Sequence, residues 1–464
     1  MSLHSLAGSP PVASESGSIL ECFRRKARQK GGTTSESTVT LCPRLPLLEQ
    51  MVDALGGIHG SVGSFVGLQH LLGSTASLVR RIAADRIEAR RVLLLGKPYS
   101  ANPDVVRFLL SDCHYWVHPW STAQELRKDN DGEMDRRIVA TFSVLRCVLR
   151  GRAGKAGHRV LLLDDGGRAI RMLHTRNFAD IRDRFTCVEQ TRCGIRNIED
   201  LDLQVPVVNV AESWVKLEHE SPLIAESVNE ELSAQLAIMK TAGVRTGTRA
   251  LIIGYGAIGR AVAAECRRQG RRVSVFDADS KRQSRALADG YGVHRRLRSA
   301  LHDAELVIGC TGKPVLDRGD YEHIAAGAIL VSASSADAEF RGWQLRQEAA
   351  CLGRPESWPR GTLVEPTGWR SLARSNTHSH PCFSLFRVHW GARHFYLVNG
   401  GFPVNFNGGV DPICPEKIQL TRSLLYVGAV QASWTIDPGL HELDDHHQHM
   451  LMAAYGAATG SLAA

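Results

Sequence analysis

The sequence predicts an α/β protein whose clearest part is a doubly wound parallel sheet. Three observations carry that. Short apolar runs such as Val92–Leu95, Leu161–Leu163, Ala250–Ile253, Leu306–Ile308 and Ala328–Val331 alternate with amphipathic stretches. The run Ala250–Ile253 leads into Gly254-Tyr255-Gly256-Ala257-Ile258-Gly259, then a helical pattern, then the run Val273–Phe276 ending at Asp277. The length, 464 residues, leaves room for two or three domains.

The glycine string has a physical reading at each position. Gly254 permits a tight turn, Gly256 lets the backbone approach a pyrophosphate, and Gly259 lets the helix pack closely on the strand. Ala257 and Ile258 open that helix and offer free N–H groups to phosphate. Asp277, at the end of the second strand, stands where a carboxylate binds the ribose hydroxyls of an adenine dinucleotide. It would repel a 2′-phosphate, so NAD is the expected cofactor. Thr311 and Gly312, after a third strand, should line the far side of the same crevice.

Composition narrows the class. Lys+Arg 56 against Asp+Glu 48 gives a net charge of +8, with its densest patches at Arg24–Lys30 and Arg267–Arg272. No recognisable nucleic-acid module accompanies them, so no nucleic-acid partner is expected. No apolar run approaches a membrane span, and no membrane partner is expected. Eleven cysteines without a CxxC pair fit free thiols in a reducing, cytoplasmic setting. Asp444, Asp445, His446, His447 and His449 read as a solvated helix end, and no metal site is expected. Residues 1–40 read as a disordered extension, and 350–380 as a long surface loop. Residues 383–406 look like a strand pair, and 413–433 like a helix.

Further strings lie outside the cofactor unit. Leu163-Asp164-Asp165-Gly166-Gly167 puts two acids at the carboxyl end of a buried strand, where α/β proteins bind ligands; such carboxylates can equally cap the next element. Glu189-Gln190-Thr191-Arg192-Cys193-Gly194 and Pro206-Val207-Val208-Asn209-Val210, with Ser213 and Lys216, follow in order. Taken together with Thr311-Gly312, Asp337-Ala338-Glu339 and Val404-Asn405, they resemble the S-adenosylhomocysteine hydrolase family over roughly residues 60–435.

The resemblance implies an NAD-binding Rossmann domain inserted in a split α/β substrate domain. It divides the chain into a substrate domain over 41–221, an NAD domain over 222–411, a return helix over 412–440 and a divergent tail over 441–464. It implies an NAD-dependent hydrolase of S-adenosylhomocysteine or a related nucleoside thioether. In that reaction the ribose 3′-carbon is oxidised, the thiol is eliminated, water adds, and the hydride returns. It implies roles for Asp165 and His70 at the substrate and for Lys216 beside the 3′-hydroxyl. Glu220 and Gln190 stand in the positions of family acids, and Thr191, Ser221 and Asn405 in or beside cofactor contacts. A nucleoside substrate and a homo-oligomer follow from the same resemblance.

The departures from the family pattern are specific. A family glutamate is Gln190, an aspartate is Glu220, an asparagine is Ser221, and a threonine is Leu72. The family's Gly-His-Phe-Asp is Ser334-Ser335-Ala336-Asp337, and its Gly-His-Pro-Ser, near the adenine pocket, is Val410-Asp411-Pro412. Its Lys/Tyr tail is absent. Two alternatives follow from these changes: an NAD-dependent nucleoside oxidoreductase or epimerase, and a catalytically inactive NAD-binding regulatory homologue.

Overall fold

The computed structural model describes residues 41–84, 86–123, 130–150, 158–241, 243–345, 363–370 and 384–459. The extension expected over 1–40 lies outside them, as does most of 350–380.

The first half of the chain alternates strand and helix. In order it runs α1 (Pro46–Leu55), β1 (Val62–Gln69), α2 (Gly73–Ala83), β2 (Val92–Gly96), α3 (Pro103–Ser111), β3 (Trp116–Val117) and α4 (Asn130–Arg150). Then come β4 (Arg159–Asp164), α5 (Arg168–Leu173), β5 (Phe185–Glu189), α6 (Arg192–Ile198) and β6 (Pro206–Asn209). All these strands pair in parallel, in the order β3-β2-β1-β4-β5-β6. A parallel sheet is covered on both faces, which is why its strands are unbroken apolar runs. Alternation along each strand splits those runs between two cores. Phe65, Leu94, Leu161, Leu163 and Val188 enter one; Val66, Leu93, Val160, Leu162 and Cys187 enter the other.

Helix α7 (Ser221–Thr241) then leads to a second sheet. It contains β7 (Arg249–Ile253), α8 (Ala257–Arg268), β8 (Arg272–Phe276), α9 (Ser280–Ala288), β9 (Gly292–Val293), α10 (Leu297–Asp303), β10 (Leu306–Gly309) and β11 (Ile329–Ser332). Strands β12 (Leu363–Arg370), β13 (Ser384–Trp390) and β14 (Arg393–Leu397) complete it. The order β9-β8-β7-β10-β11-β14 is parallel throughout, with β13 and β12 added antiparallel at one edge. This is the 3-2-1-4-5-6 order of a dinucleotide-binding sheet, and the first sheet repeats it.

Two expectations change here. The stretch 350–380 is not one loop: it contains β12, the edge strand. Pro366 and Gly368 hide it in the sequence, and an edge strand is the place in a sheet that tolerates a proline. The return to the first sheet also extends past residue 440. Helix α11 (Pro415–Trp434) is buried on nearly every side, and β15 (Gly439–Glu442) pairs in parallel with β6. Helix α12 (Asp445–Thr459) follows, and Leu443 and Leu451 join the first sheet's core. The half-exposed, partly polar β15 carries no apolar run, so its pattern does not announce a strand.

Candidate functional site

In each sheet the strand order reverses between the first and fourth strands, and the crevice outside their carboxyl ends is where such folds bind ligands. In the first sheet those ends are Gln69-His70 after β1 and Asp164-Asp165 after β4.

Asp165 is the centre of the first crevice. Lys97, directly after β2, donates from Nζ to Asp165 Oδ1 at 2.6 Å. Gln190, directly after β5, donates from Nε2 to Asp165 Oδ2 at 2.7 Å, and its Oε1 accepts from Gln69 Nε2 at 3.0 Å. His70 Nε2 lies 3.3 Å from Asp165 Oδ2, and its Nδ1 lies 2.5 Å from Ser100 Oγ. Burial pushes the His70 imidazole down to about 3, and the Lys97 charge adds to that, so His70 is neutral at neutral pH. Burial pulls the Asp165 carboxyl up, but Lys97, His70 and Lys216 together hold it below the ordinary aspartate value. Burial works against the Lys97 charge too, and the Asp165 carboxylate more than offsets it.

Behind this crevice sits Glu189, fully buried at the end of β5. Its Oε2 accepts from Gly167 N at 2.8 Å; its Oε1 accepts from Thr191 N and Thr191 Oγ1, both at 2.7 Å. Gly167 has φ +69, and a Cβ there would fall 2.4 Å from Gly194 O. The two strings Asp164–Gly167 and Glu189–Gly194 therefore lock together. Burial, then the nearby Asp164, pushes the Glu189 carboxyl well above its usual range. The Thr191 hydroxyl is spent within this lock, since it also accepts from Gly194 N at 2.9 Å.

Lys216 and Glu220 form an ion pair across one wide π-helical turn, Lys216–Glu220, that runs into α7. Turns of this kind recur at functional sites. Ser221 opens α7 and is buried. The Lys216 charge bears on the Asp165 carboxyl from this turn.

The second crevice fits a dinucleotide. Gly254 has φ +95, and a Cβ there would fall 2.7 Å from Thr311. A Cβ at Gly259 would fall 1.9 Å from Gly254 O, whereas the space beside Gly256 is open. Helix α8 begins at Ala257 with no side-chain cap, leaving the N–H groups of its first turn available to phosphate. Asp277 is buried at the end of β8, accepting from Tyr255 N at 2.6 Å and Asp279 N at 2.9 Å. Across the crevice, buried Glu339 accepts from Thr311 N at 2.6 Å and Ser332 Oγ at 2.8 Å, fixing the Thr311-Gly312 turn. Asn405 is buried, and its amide has no hydrogen-bond partner among the described residues. An empty backbone cradle, an uncapped helix and an unspent amide are what NAD requires.

The two crevices face each other. Tyr99 stacks on Phe402 at 4.8 Å, and His70 stacks on Phe406 at 4.6 Å. Tyr99 OH accepts from Ala336 N at 3.2 Å. A Cβ at Gly312 would lie 3.9 Å from Arg196 Nη2, on α6. Asn405 thus stands in the segment that carries Phe402 and Phe406 to the first crevice.

The structure joins His70, Asp165 and Gln190 in one hydrogen-bonded network, with the Lys216–Glu220 pair beside it. Sequence reasoning passed over Lys97, Tyr99, Ser74 and Arg422, and quoted Glu189 and Asp411 only within family strings without giving them these partners. The signal for Lys97 was available: it follows a buried strand directly, but lies among Gly96 and Pro98, which read as turn punctuation. Among the described residues no three His, Cys, Asp or Glu side chains come together to hold a metal, the Asp444–His449 cluster included. Among them, too, no helix is long and apolar enough to cross a membrane.

Fold and crevices define an NAD-binding α/β protein of the doubly wound kind. Residues 230–353 match the NAD-binding domain of S-adenosyl-L-homocysteine hydrolase. An uncharacterised protein of Mycobacterium tuberculosis is 30% identical over 397 residues, covering 85% of this chain and 68% of that protein. The adenosylhomocysteinase of Thermotoga maritima is 26% identical over 303 residues, covering 64% and 68%. The S-inosyl-L-homocysteine hydrolase of Methanopyrus kandleri is 26% identical over 287 residues, covering 60% and 61%. The chain belongs to the S-adenosyl-L-homocysteine hydrolase family as a divergent member, and its cofactor is NAD.

Proposed function

We propose that this protein hydrolyses a nucleoside thioether of the S-adenosyl- or S-inosylhomocysteine kind. The observation that carries this reading is that the His70–Asp165–Lys97–Gln190 network lies at the switch point of one sheet and faces the dinucleotide crevice of the other. NAD, held at the Gly254–Gly259 turn and Asp277, would supply reversible hydride acceptance for the ribose 3′-carbon, so that the net reaction would consume only water.

The chain's own groups divide the remaining work. Lys216, once it has passed a proton to its ion-pair partner Glu220, takes the proton of the 3′-hydroxyl, and both protons return at the end. Asp165, kept ionised by Lys97, is a weak base and a strong hydrogen-bond acceptor; it orients the ribose hydroxyls. Gln190 fixes the second Asp165 oxygen without adding charge. Neutral His70 is the group able to take up a proton near the leaving sulfur and hand it on. Tyr99, Phe402 and Phe406 shield the reacting carbon from bulk water.

Lys216→Ala in the NAD-loaded protein tests this reading. Thiol release from S-adenosylhomocysteine and S-inosylhomocysteine is followed with a thiol reagent. The wild type releases thiol from at least one of them, and the variant loses about 100-fold or more, the scale of a removed acid–base group. No thiol from either compound, or a variant as fast as the wild type, overturns the proposal.

A further inference from the structure

Arg422 lies on α11 and is 7% exposed. Its Nε donates to Ser74 Oγ at 3.0 Å. Ser74 in turn serves Asp411: Ser74 Oγ donates to Oδ1 at 2.6 Å and Ser74 N to Oδ2 at 2.9 Å. Asp411 is thereby spent on the first turn of α2, where a carboxylate also suits the helix dipole. The two terminal amines of Arg422 have no hydrogen-bond partner among the described residues, and no carboxylate there lies at ion-pair distance. Neither amine is among the fully sealed, unpartnered polar atoms of the described residues.

A buried guanidinium with two idle terminal amines costs stability unless something arrives to accept their N–H groups. Its position says what arrives. Ser74 lies four residues beyond His70, and the Arg422 charge is felt at His70. With Lys216, Asp165 and His70 assigned to the ribose and the leaving sulfur in the reading above, the end of the substrate left for these amines is the base.

Guanidinium donates and never accepts. Its planar fork needs two acceptors side by side. A 6-oxopurine offers O6 and N7 in that arrangement, whereas a 6-aminopurine offers N7 beside a donor and is matched by an amide side chain. We infer that Arg422 reads the purine of the substrate and selects a 6-oxopurine, such as hypoxanthine, over adenine. The inference rests on the nucleoside reading above.

Calorimetric titration of the full-length, NAD-loaded protein with inosine, adenosine and 7-deazainosine tests it. Inosine binds about 10- to 100-fold tighter than adenosine, the range one bidentate base contact supplies. Loss of N7 in 7-deazainosine weakens binding about tenfold. Arg422→Gln reverses the preference toward adenosine. The wild-type comparison stands even if that buried substitution fails to fold. Adenosine binding as tightly as inosine overturns the inference and leaves the nucleoside reading intact; binding of none of the three, with NAD still held, removes both.

Discussion

Lys97 acts on both Asp165 and His70: its ammonium contacts the carboxylate, and its field adds to the effect of burial on the imidazole. The consequence is measurable. His70 falls from 6.5 in the unfolded chain to about 3 in the fold, through burial first and Lys97 second. Above pH 6.5 neither state binds the proton. Below it the unfolded state binds one and the folded state does not, so stability is lost as pH falls from 6.5 toward 3. Wild type should therefore lose stability relative to His70→Asn over that window, by at most about 1.4 kcal/mol per pH unit, and run parallel to it above pH 7. Asp164 and Asp411, both raised to about 6 by burial, oppose the trend, but they do so in both proteins and drop out of the difference. Urea titrations at several pH values measure it, and a difference that stays flat from pH 7 to pH 4 contradicts the assignment. At this scale Asp165 stood out in the sequence by its place at the end of a buried strand, whereas His70 was expected from the family resemblance alone. The sequence concealed Lys97 and Arg422, because a lysine in a turn and an arginine in a helix ordinarily face solvent.

The elements with the strongest local logic were the most legible. A buried strand, a glycine turn, an amphipathic helix and a second strand ending in an acid admit little besides a dinucleotide unit. The π-helical turn Lys216–Glu220 left no trace, since one extra residue in a turn does not disturb a side-chain pattern already broken by a loop. The glycine turn gives the test proper to this scale. A Cβ at Gly259 would fall 1.9 Å from Gly254 O, a backbone atom that cannot swing aside. Gly259→Ala should weaken NAD binding at least about tenfold by moving α8 off the turn. The first sheet, which this residue does not touch, keeps its fold. Calorimetric NAD titration with far-ultraviolet circular dichroism separates the two effects; unchanged NAD affinity contradicts the role given to that turn.

At the scale of the molecule, two sheets share one strand order, and the chain leaves the first to build the second and returns through α11 and β15. Each order generates its own crevice, and Tyr99, Phe402, Phe406 and the Ala336 backbone bring the two together. Periodicity could supply the strands but not this facing, because the contacts join residues such as Tyr99 and Ala336 that lie 237 positions apart. On the proposed function the two crevices form one site, in which a nucleoside ribose meets the nicotinamide. Absorbance at about 340 nm, where reduced nicotinamide absorbs, tests that claim on NAD-loaded protein before and after inosine or adenosine is added. A rise with at least one nucleoside, abolished by Lys216→Ala, is the predicted result. An unchanged spectrum with both nucleosides, while NAD stays bound, contradicts the account.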